Sequence, residues 1–417
     1  MNMITSILRV LLTRSLRPFV FEAGREDIPE LNLKNLGLYI HIPFCKKICS
    51  FCPYYKIQYS KDLMEKYIKS LFKEIKLLAE INKEKIKITS IYFGGGSPIL
   101  AIDFLPEIIN RIEKYFSISG NIGIEINPRE INEGTIKRLE SIGFDMISIG
   151  IQSFQKKCLH LLGRDDIDNT KKLRIVAKGK FKVIDVDLIF GIKGQTIEDL
   201  SRDFEIAESN GATQISTYPF IEFSYSHFKI KPSGYNIQKK MLDSLINIST
   251  KRGFERSSVW TFSKKNHKTY SSITRDNYIG FGPSSASLTR DIFKVNTFSV
   301  EAYIKSLSES ILPTALTLKF DKRRRALYWL FWSAYKQHLS KLSFKKMFDE
   351  ELNAFFNFEI FIGKKLKLIR DEEGGYKVTS KGAQFYHFIE QAYTHQYIDK
   401  TWRTAQKNPW PNKVILY

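Results

Sequence analysis

Short apolar runs alternate with amphipathic stretches from about residue 36 to residue 220. The apolar runs at 37–42, 88–93, 122–127, 146–151, 183–190 and 214–218 read as strands. Helical periodicity fills the gaps at about 61–82, 102–116, 131–141, 154–178 and 196–209. Such alternation implies right-handed crossovers and a parallel sheet. Six units in this order suit an α/β fold, a partial TIM-type (β/α)6 barrel, whose chemistry gathers at the C-terminal strand ends. Further on, 236–252 reads as a helix and 256–262 as a strand. Tyr278-Ile-Gly-Phe-Gly-Pro-Ser-Ser-Ala286 is a glycine-rich turn. From about 296 the pattern is helical, with one hairpin at 366–369 and 376–379 around Glu372-Glu-Gly-Gly375. These elements predict three parts: a basic amphipathic arm over 1–35, a barrel with its extension over 36–290, and a smaller C-terminal helical, winged-helix-like domain over 291–417.

Charge changes the picture more than composition does. The chain has 65 basic and 44 acidic residues, a net +21, which implies an anionic partner such as a membrane surface, a nucleic acid or an acidic substrate. The basic residues are scattered and no recognition module is evident, so no nucleic acid is expected. No run of about 20 apolar residues exists to cross a membrane. Near the start, Ile4, Ile7, Leu8, Leu11 and Leu12 recur at helical spacing among Arg9, Arg14 and Arg17. Arg9 sits where a secretory segment would be uncharged. Two readings stay open: a helix lying on a membrane surface, or one packed on the protein's own body. The expected location is cytoplasmic, with peripheral contact at the inner membrane surface.

Three of the four cysteines fall within eight residues, in Leu38-Tyr-Ile-His-Ile-Pro-Phe-Cys-Lys-Lys-Ile-Cys-Ser-Phe-Cys52. The spacing C-x3-C-x2-C lets Cys45, Cys49 and Cys52 hold three irons of a [4Fe–4S] cluster, since thiolates are the ligands such clusters select. The fourth iron is then free to bind S-adenosylmethionine (SAM), and one electron can cleave a C–S bond to release a 5′-deoxyadenosyl radical. Structural zinc is the competing reading, but it takes four ligands. His41 would be the fourth, and on its strand it would point away from the loop. Cys158, in a helical pattern, reads as a buried apolar thiol.

Polar residues end the later strands. Tyr92-Phe-Gly-Gly-Gly-Ser-Pro98 bares backbone for close approach to a ligand. Glu125 ends the third strand, where it would serve a ribose or an ammonium group. Gln152 ends the fourth, with Arg164 twelve residues on. Asp185 and Asp187 share one face of the fifth, and burying Asp187 requires a partner.

Tyr39-Ile-His-Ile-Pro-Phe-Cys45 with its cysteine spacing, Gly94-Gly-Gly-Ser-Pro98, Glu125-Ile-Asn-Pro-Arg129, Gly150-Ile-Gln-Ser-Phe154, Asp187-Leu-Ile-Phe-Gly191 and Gly280-Phe-Gly-Pro283 together resemble the oxygen-independent coproporphyrinogen III oxidase-like (HemN-like) radical SAM family. The resemblance spans about 36–290. It implies a [4Fe–4S] cluster on Cys45, Cys49 and Cys52, and two SAM molecules. Tyr39, Gly95 and Glu125 would contact the cluster-bound SAM. Phe51, Gly96, Ser97, Gln152, Arg164 and Asp187 would contact the second, with Phe220 and Ala286 near further contacts. An electron donor such as flavodoxin or ferredoxin is implied.

The chain departs from particular members. Tyr54 stands where coproporphyrinogen oxidases carry a further cysteine. Asn266-His-Lys-Thr-Tyr-Ser271 lacks the tryptophan of the heme chaperones' motif. These departures, with the basic N-terminus, favour the two-SAM branch that resembles menaquinone C8 methyltransferases, which methylate an sp2 carbon of an aromatic, membrane-dissolved quinone. The alternatives are a tetrapyrrole enzyme (a coproporphyrinogen III dehydrogenase or an anaerobic heme-degrading methyltransferase) and a heme-binding chaperone. Lys322-Arg-Arg-Arg-Ala-Leu-Tyr-Trp-Leu-Phe-Trp332 reads as a basic membrane-facing cluster or as a core helix with a solvated cap.

Overall fold

The computed structural model describes every residue except 1, 25–30, 32, 34, 81–83, 227–229 and 271–275. Ser271, the end of the segment compared with the chaperone motif, lies outside the described residues. Six parallel strands form the barrel in chain order: β1 Leu36–Ile42, β2 Ile86–Gly95, β3 Phe116–Ile126, β4 Met146–Gln152, β5 Val183–Phe190 and β6 Gln214–Pro219. The side chains of β1, β5 and β6 are buried almost throughout, as expected of a parallel sheet covered on both faces, whereas the first half of β3 is partly exposed.

The chain's first helix is α1 Asn2–Thr13. Crossovers run through α2 Lys61–Ala79, α3 Leu105–Tyr115, α4 Glu133–Ile142, α5 Lys156–Leu161, α6 Asn169–Ala177 and α7 Ile197–Ser209. Helix α2 buries Met64, Tyr67, Ile68, Leu71, Ile75 and Leu78 at helical spacing. Asn132 caps α4, Asp168 caps α6, and Thr196 with Asp199 forms a capping box on α7. The single helix expected over 154–178 is two. Gly163 adopts φ +66 between α5 and α6, so Arg164 sits in a loop.

The sheet extends well past the six strands. β7 Asn277–Phe281 pairs in parallel with β1, and β8 Ala286–Thr289, β9 Ile292–Asn296 and β10 Thr314–Lys319 follow antiparallel. The strand Phe19–Glu22 and the strand Lys413–Leu416 complete that side, so chain ends and extension share one 14-stranded sheet. The pattern of helices with one hairpin expected after 296 is corrected there: β10 and Lys413–Leu416 are sheet strands. At the other edge the strand expected at 256–262 is a hairpin, Phe254–Arg256 and Thr261–Lys264. Glu74 of α2 fastens barrel to extension. Its buried carboxylate accepts from Gly282 N–H, Asn296 Nδ2 and Tyr303 O–H, and burial pushes it up to about 7.

After α8 Tyr235–Lys251 and α9 Val300–Ser308, helix α10 Lys322–Tyr335 leads into the C-terminal helices. The expected hairpin appears at Ile369–Glu372 and Gly375–Val378, and His338–Ser340 adds a third strand. Trp329, Phe344, Phe348 and Phe356 form a separate small core there. The arginines of α10 turn inward. Arg325 is buried and donates to the carbonyls of Arg290 and Asp276, and Arg323 to those of Leu12 and Phe355. The 322–332 segment is therefore a packed helix that brackets neighbouring chain ends, and its arginines satisfy buried backbone.

Candidate functional site

The cysteine loop leaves the C-terminal end of β1. Tyr59 N–H donates to the Cys45 carbonyl (2.9 Å), Lys56 Nζ to the Cys52 carbonyl (2.6 Å) and Cys52 N–H to the Cys49 carbonyl (3.4 Å). The three thiols are free and half-buried, whereas Cys158 is fully buried. Burial, then Cys52 and Cys49, pushes the Cys45 thiol up to about 12. A cationic guest at the loop reverses that penalty. His41 is engaged elsewhere: Nδ1 lies 3.0 Å from Tyr39 Oη and Nε2 3.0 Å from the Tyr55 carbonyl. No three His, Cys, Asp or Glu side chains among the described residues converge on one ion-sized point.

The glycine-rich end of β2 locks onto this loop. Gly96 N–H donates to the Ile42 carbonyl and Ser97 N–H to the Phe44 carbonyl, both at 2.8 Å. A Cβ on Gly96 would lie 2.5 Å from the Phe44 carbonyl oxygen, and Gly95 has φ +118. Only glycine suits both positions. Ser97 Oγ also reaches Glu130, at 3.3 Å.

The structure brings Tyr39, Gly95 and Glu125 together. Gly95 N–H donates to Glu125 Oε2 (3.2 Å), and a Cβ on Gly94 would touch both the Tyr39 ring and Glu125 Oε1. Burial pushes Glu125 up to about 7, against the Gly95 and Tyr92 hydrogen bonds. Phe51, Gln152 and Arg164 form a second group. Arg164 donates to the Gly150 carbonyl, lies 3.5 Å from Cys49 Sγ and sits over the Phe51 ring at 5.9 Å. Gln152 holds a left-handed φ of +72 beside it. Phe51 packs against the cluster containing Cys158 and Phe220.

Asp187 accepts from Ser148 Oγ at 2.9 Å; burial first, then Asp185 and Glu125, holds it well above the carboxylate range. Asp185 accepts from Gln214 and Ser216.

Sequence reasoning missed Asp203. It is fully buried on α7 and accepts from Ser153 Oγ, Phe154 N–H and Gln155 Nε2, fixing the turn that follows Gln152. Its signal was present: Leu200, Asp203, Phe204 and Ala207 form one apolar stripe with an acid inside it.

A cavity of about 270 Å³ adjoins Tyr39 and the loop. Tyr54, Tyr92, Tyr270, Tyr278, Trp332 and Trp402 give it aromatic walls, and Ala286 lies on its rim. Tyr92 and Tyr270 stack at 4.9 Å.

Residues 39–207 match the Radical SAM superfamily. The fold is thus the radical SAM α/β fold, and a domain of that superfamily works with a [4Fe–4S] cluster and SAM. More particularly, the chain is similar to HemN-like proteins. It is 25% identical over 400 residues to the oxygen-independent coproporphyrinogen III oxidase of Synechocystis sp., covering 84% of each chain. It is 25% identical to heme chaperone HemW of Bacillus subtilis, covering 82% of this chain and 95% of that one. The solved coproporphyrinogen III oxidase (HemN) of Escherichia coli has the same fold, with TM-score 0.74 at 21% identity over 91% of this chain and 97% of that one. These relatives favour the tetrapyrrole alternative over quinone methylation.

The residues present fit the cofactors. Three free thiols share one loop, a cation beside Cys49 compensates thiolate charge, and the buried Glu125 suits an ammonium group.

Proposed function

We propose that the protein is a radical SAM enzyme acting on a tetrapyrrole, a porphyrinogen or a heme, taken into the aromatic cavity beside Tyr39. The observation that carries this reading is the cavity itself. The stacked rings of Tyr92 and Tyr270, with Tyr278 and Trp332 beside them, offer aromatic faces to the pyrrole rings of a tetrapyrrole. The HemN-like relatives act on, or are named for, the same class of molecule. The cluster and SAM, when bound, supply one-electron reductive cleavage and a carbon-centred radical that takes hydrogen from the substrate.

The chain's own residues do the rest. Cys45, Cys49 and Cys52 hold the cluster. Glu125 and the Gly95 backbone hold SAM's polar end, with the Tyr39 ring against it. Arg164, Gln152, Asp187, Phe51, Gly96 and Ser97 hold a second SAM. The aromatic walls keep water from the radical.

One observation favours a second reading, methylation of a quinone ring. Among the described residues no lysine or arginine lines the cavity, and a polycarboxylate substrate needs cations.

The test is anaerobic. The reconstituted protein is given dithionite, methyl-labelled SAM and, separately, coproporphyrinogen III, heme or a menaquinone analogue, with products read by mass spectrometry. Decarboxylated or ring-opened tetrapyrrole is the expected result. A quinone gaining one labelled methyl, with both tetrapyrroles untouched, overturns the proposal in favour of the second reading. Cys45→Ala must abolish 5′-deoxyadenosine formation in either case.

A further inference from the structure

Helix α1 docks by its polar side. Thr5, Arg9 and Thr13, four residues apart, are its buried positions. Ser6 accepts from Gln396 Nε2 at 2.9 Å, Arg9 Nη1 donates to the Arg17 carbonyl, and Arg323 Nε donates to the Leu12 carbonyl at 2.9 Å. The outward stripe is apolar: Met3 is 74% exposed, Ile7 50% and Leu11 62%, with Leu16 at 83% just beyond. A helix that covers itself with its own body does the reverse.

The stripe has neighbours. Arg323 joins the Leu12 carbonyl to that of Phe355 and to Glu359, and Arg14 approaches Glu359 at 3.9 Å. That places the helix Asn357–Lys365 beside α1, and it exposes Phe358 (62%) and Phe361 (58%). Arg14 and Arg17 are exposed, Lys364 and Lys365 end the neighbouring helix, and residues 1–21 contain no acid.

We propose that this face, α1 with the helix Asn357–Lys365, is the protein's docking surface for an anionic lipid bilayer. Met3, Ile7, Leu11, Leu16, Phe358 and Phe361 enter the interface between headgroups and acyl chains, while the surrounding cations meet lipid phosphates. The choice of a bilayer over another protein rests on charge: a stripe ringed by cations, on a chain of net +21, complements an anionic surface. The proposal stands apart from the substrate assignment, because none of these residues lines the cavity.

The test is co-sedimentation of the full-length protein with phosphatidylglycerol–phosphatidylcholine vesicles, beside pure phosphatidylcholine. The mixed vesicles should bind it and lose it at high salt. Leu11→Asp with Ile7→Asp should lower the partition coefficient at least about tenfold, since apolar insertion supplies part of the affinity. Arg14→Ala with Arg17→Ala should lower it about 30-fold, at about fivefold per arginine. All four positions are exposed, and unchanged thermal unfolding of each variant shows that the fold is intact. Equal binding by wild type and both variants overturns the proposal. So does a lipid-free dimer, seen by ultracentrifugation, that the Leu11→Asp and Ile7→Asp changes dissolve, since the occupant is then a second copy.

Discussion

Arg164 places Nη1 3.5 Å from Cys49 Sγ while Nη2 donates to the Gly150 carbonyl. One planar fork therefore ties the cysteine loop to the end of β4, and its face lies over Phe51. A lysine ammonium has no planar fork to span both partners while a flat face lies on Phe51. Arg164→Lys and Arg164→Ala should both raise the KM for SAM in 5′-deoxyadenosine formation, by about 10- to 100-fold, the scale of a lost charged hydrogen bond. Iron content per chain should match wild type. Loss of iron in the variants would assign Arg164 to cluster retention instead.

Asp203 sits beneath the same site. Three donors from the Ser153–Gln155 turn converge on it, and the preceding Gln152 is left-handed. Asp203→Ala leaves those donors without their acceptor inside the core. The expected loss is about 3 kcal/mol of unfolding free energy, together with a raised KM for SAM at near-normal iron content. Chemical denaturation and a SAM titration measure the two effects separately. A variant with wild-type stability would show that water replaces the carboxylate.

The six barrel strands were legible because buried parallel strands read as apolar runs bounded by glycine or proline, and because Glu125 and Gln152 sit at the ends of such runs while Asp187 interrupts one. What could not be read depends on distant partners. Helix α1 meets Gln396, and strand Phe19–Glu22 pairs with Lys413–Leu416. Amphipathic spacing alone does not say which face docks. The arginines of α10 looked like a surface patch, since nothing local reveals that they answer carbonyls at Asp276 and Arg290. For Asp203 the buried acid was visible in its apolar stripe, but its partners were not, since its donors are about 50 residues away.

His387 gives the fold a pH dependence. Its ring is buried, and Trp260 Nε1 donates to Nδ1 at 3.1 Å, so Nδ1 stays unprotonated. Burial, then Arg256, lowers the group from 6.5 to about 4. The folded state thus binds fewer protons than the unfolded state between those values, and stability falls as pH drops from about 6.5 toward 4. The span corresponds to about 3 kcal/mol. His387→Asn, whose side-chain oxygen can still accept from Trp260, should lose that much less stability than wild type over the same window. Denaturation curves at pH 7.5, 5.5 and 4.5 check it; parallel pH dependence in the two proteins refutes the assignment.

Gly96 joins backbone geometry to chemistry. Its N–H holds the Ile42 carbonyl, and the space where a Cβ would sit belongs to the Phe44 carbonyl, 2.5 Å away. Phe44 immediately precedes Cys45, so whatever moves that carbonyl moves the first cysteine. Backbone cannot swing aside as a flexible side chain can. Gly96→Ala should therefore displace the start of the cysteine loop while leaving the barrel strands paired. The expected outcome is a loss of about 1–3 kcal/mol from overpacking and a fall of about 100-fold in 5′-deoxyadenosine formation, the scale of an ångström-level misplacement. Far-ultraviolet circular dichroism should remain that of wild type, and the iron–sulfur absorbance after reconstitution should drop. Gly143→Ala is the opposite case: Gly143 is left-handed at φ +101, but its Cβ meets nothing within 4 Å and it lies at the end of α4. Wild-type activity in Gly96→Ala would separate the glycine-rich turn from the cysteine loop.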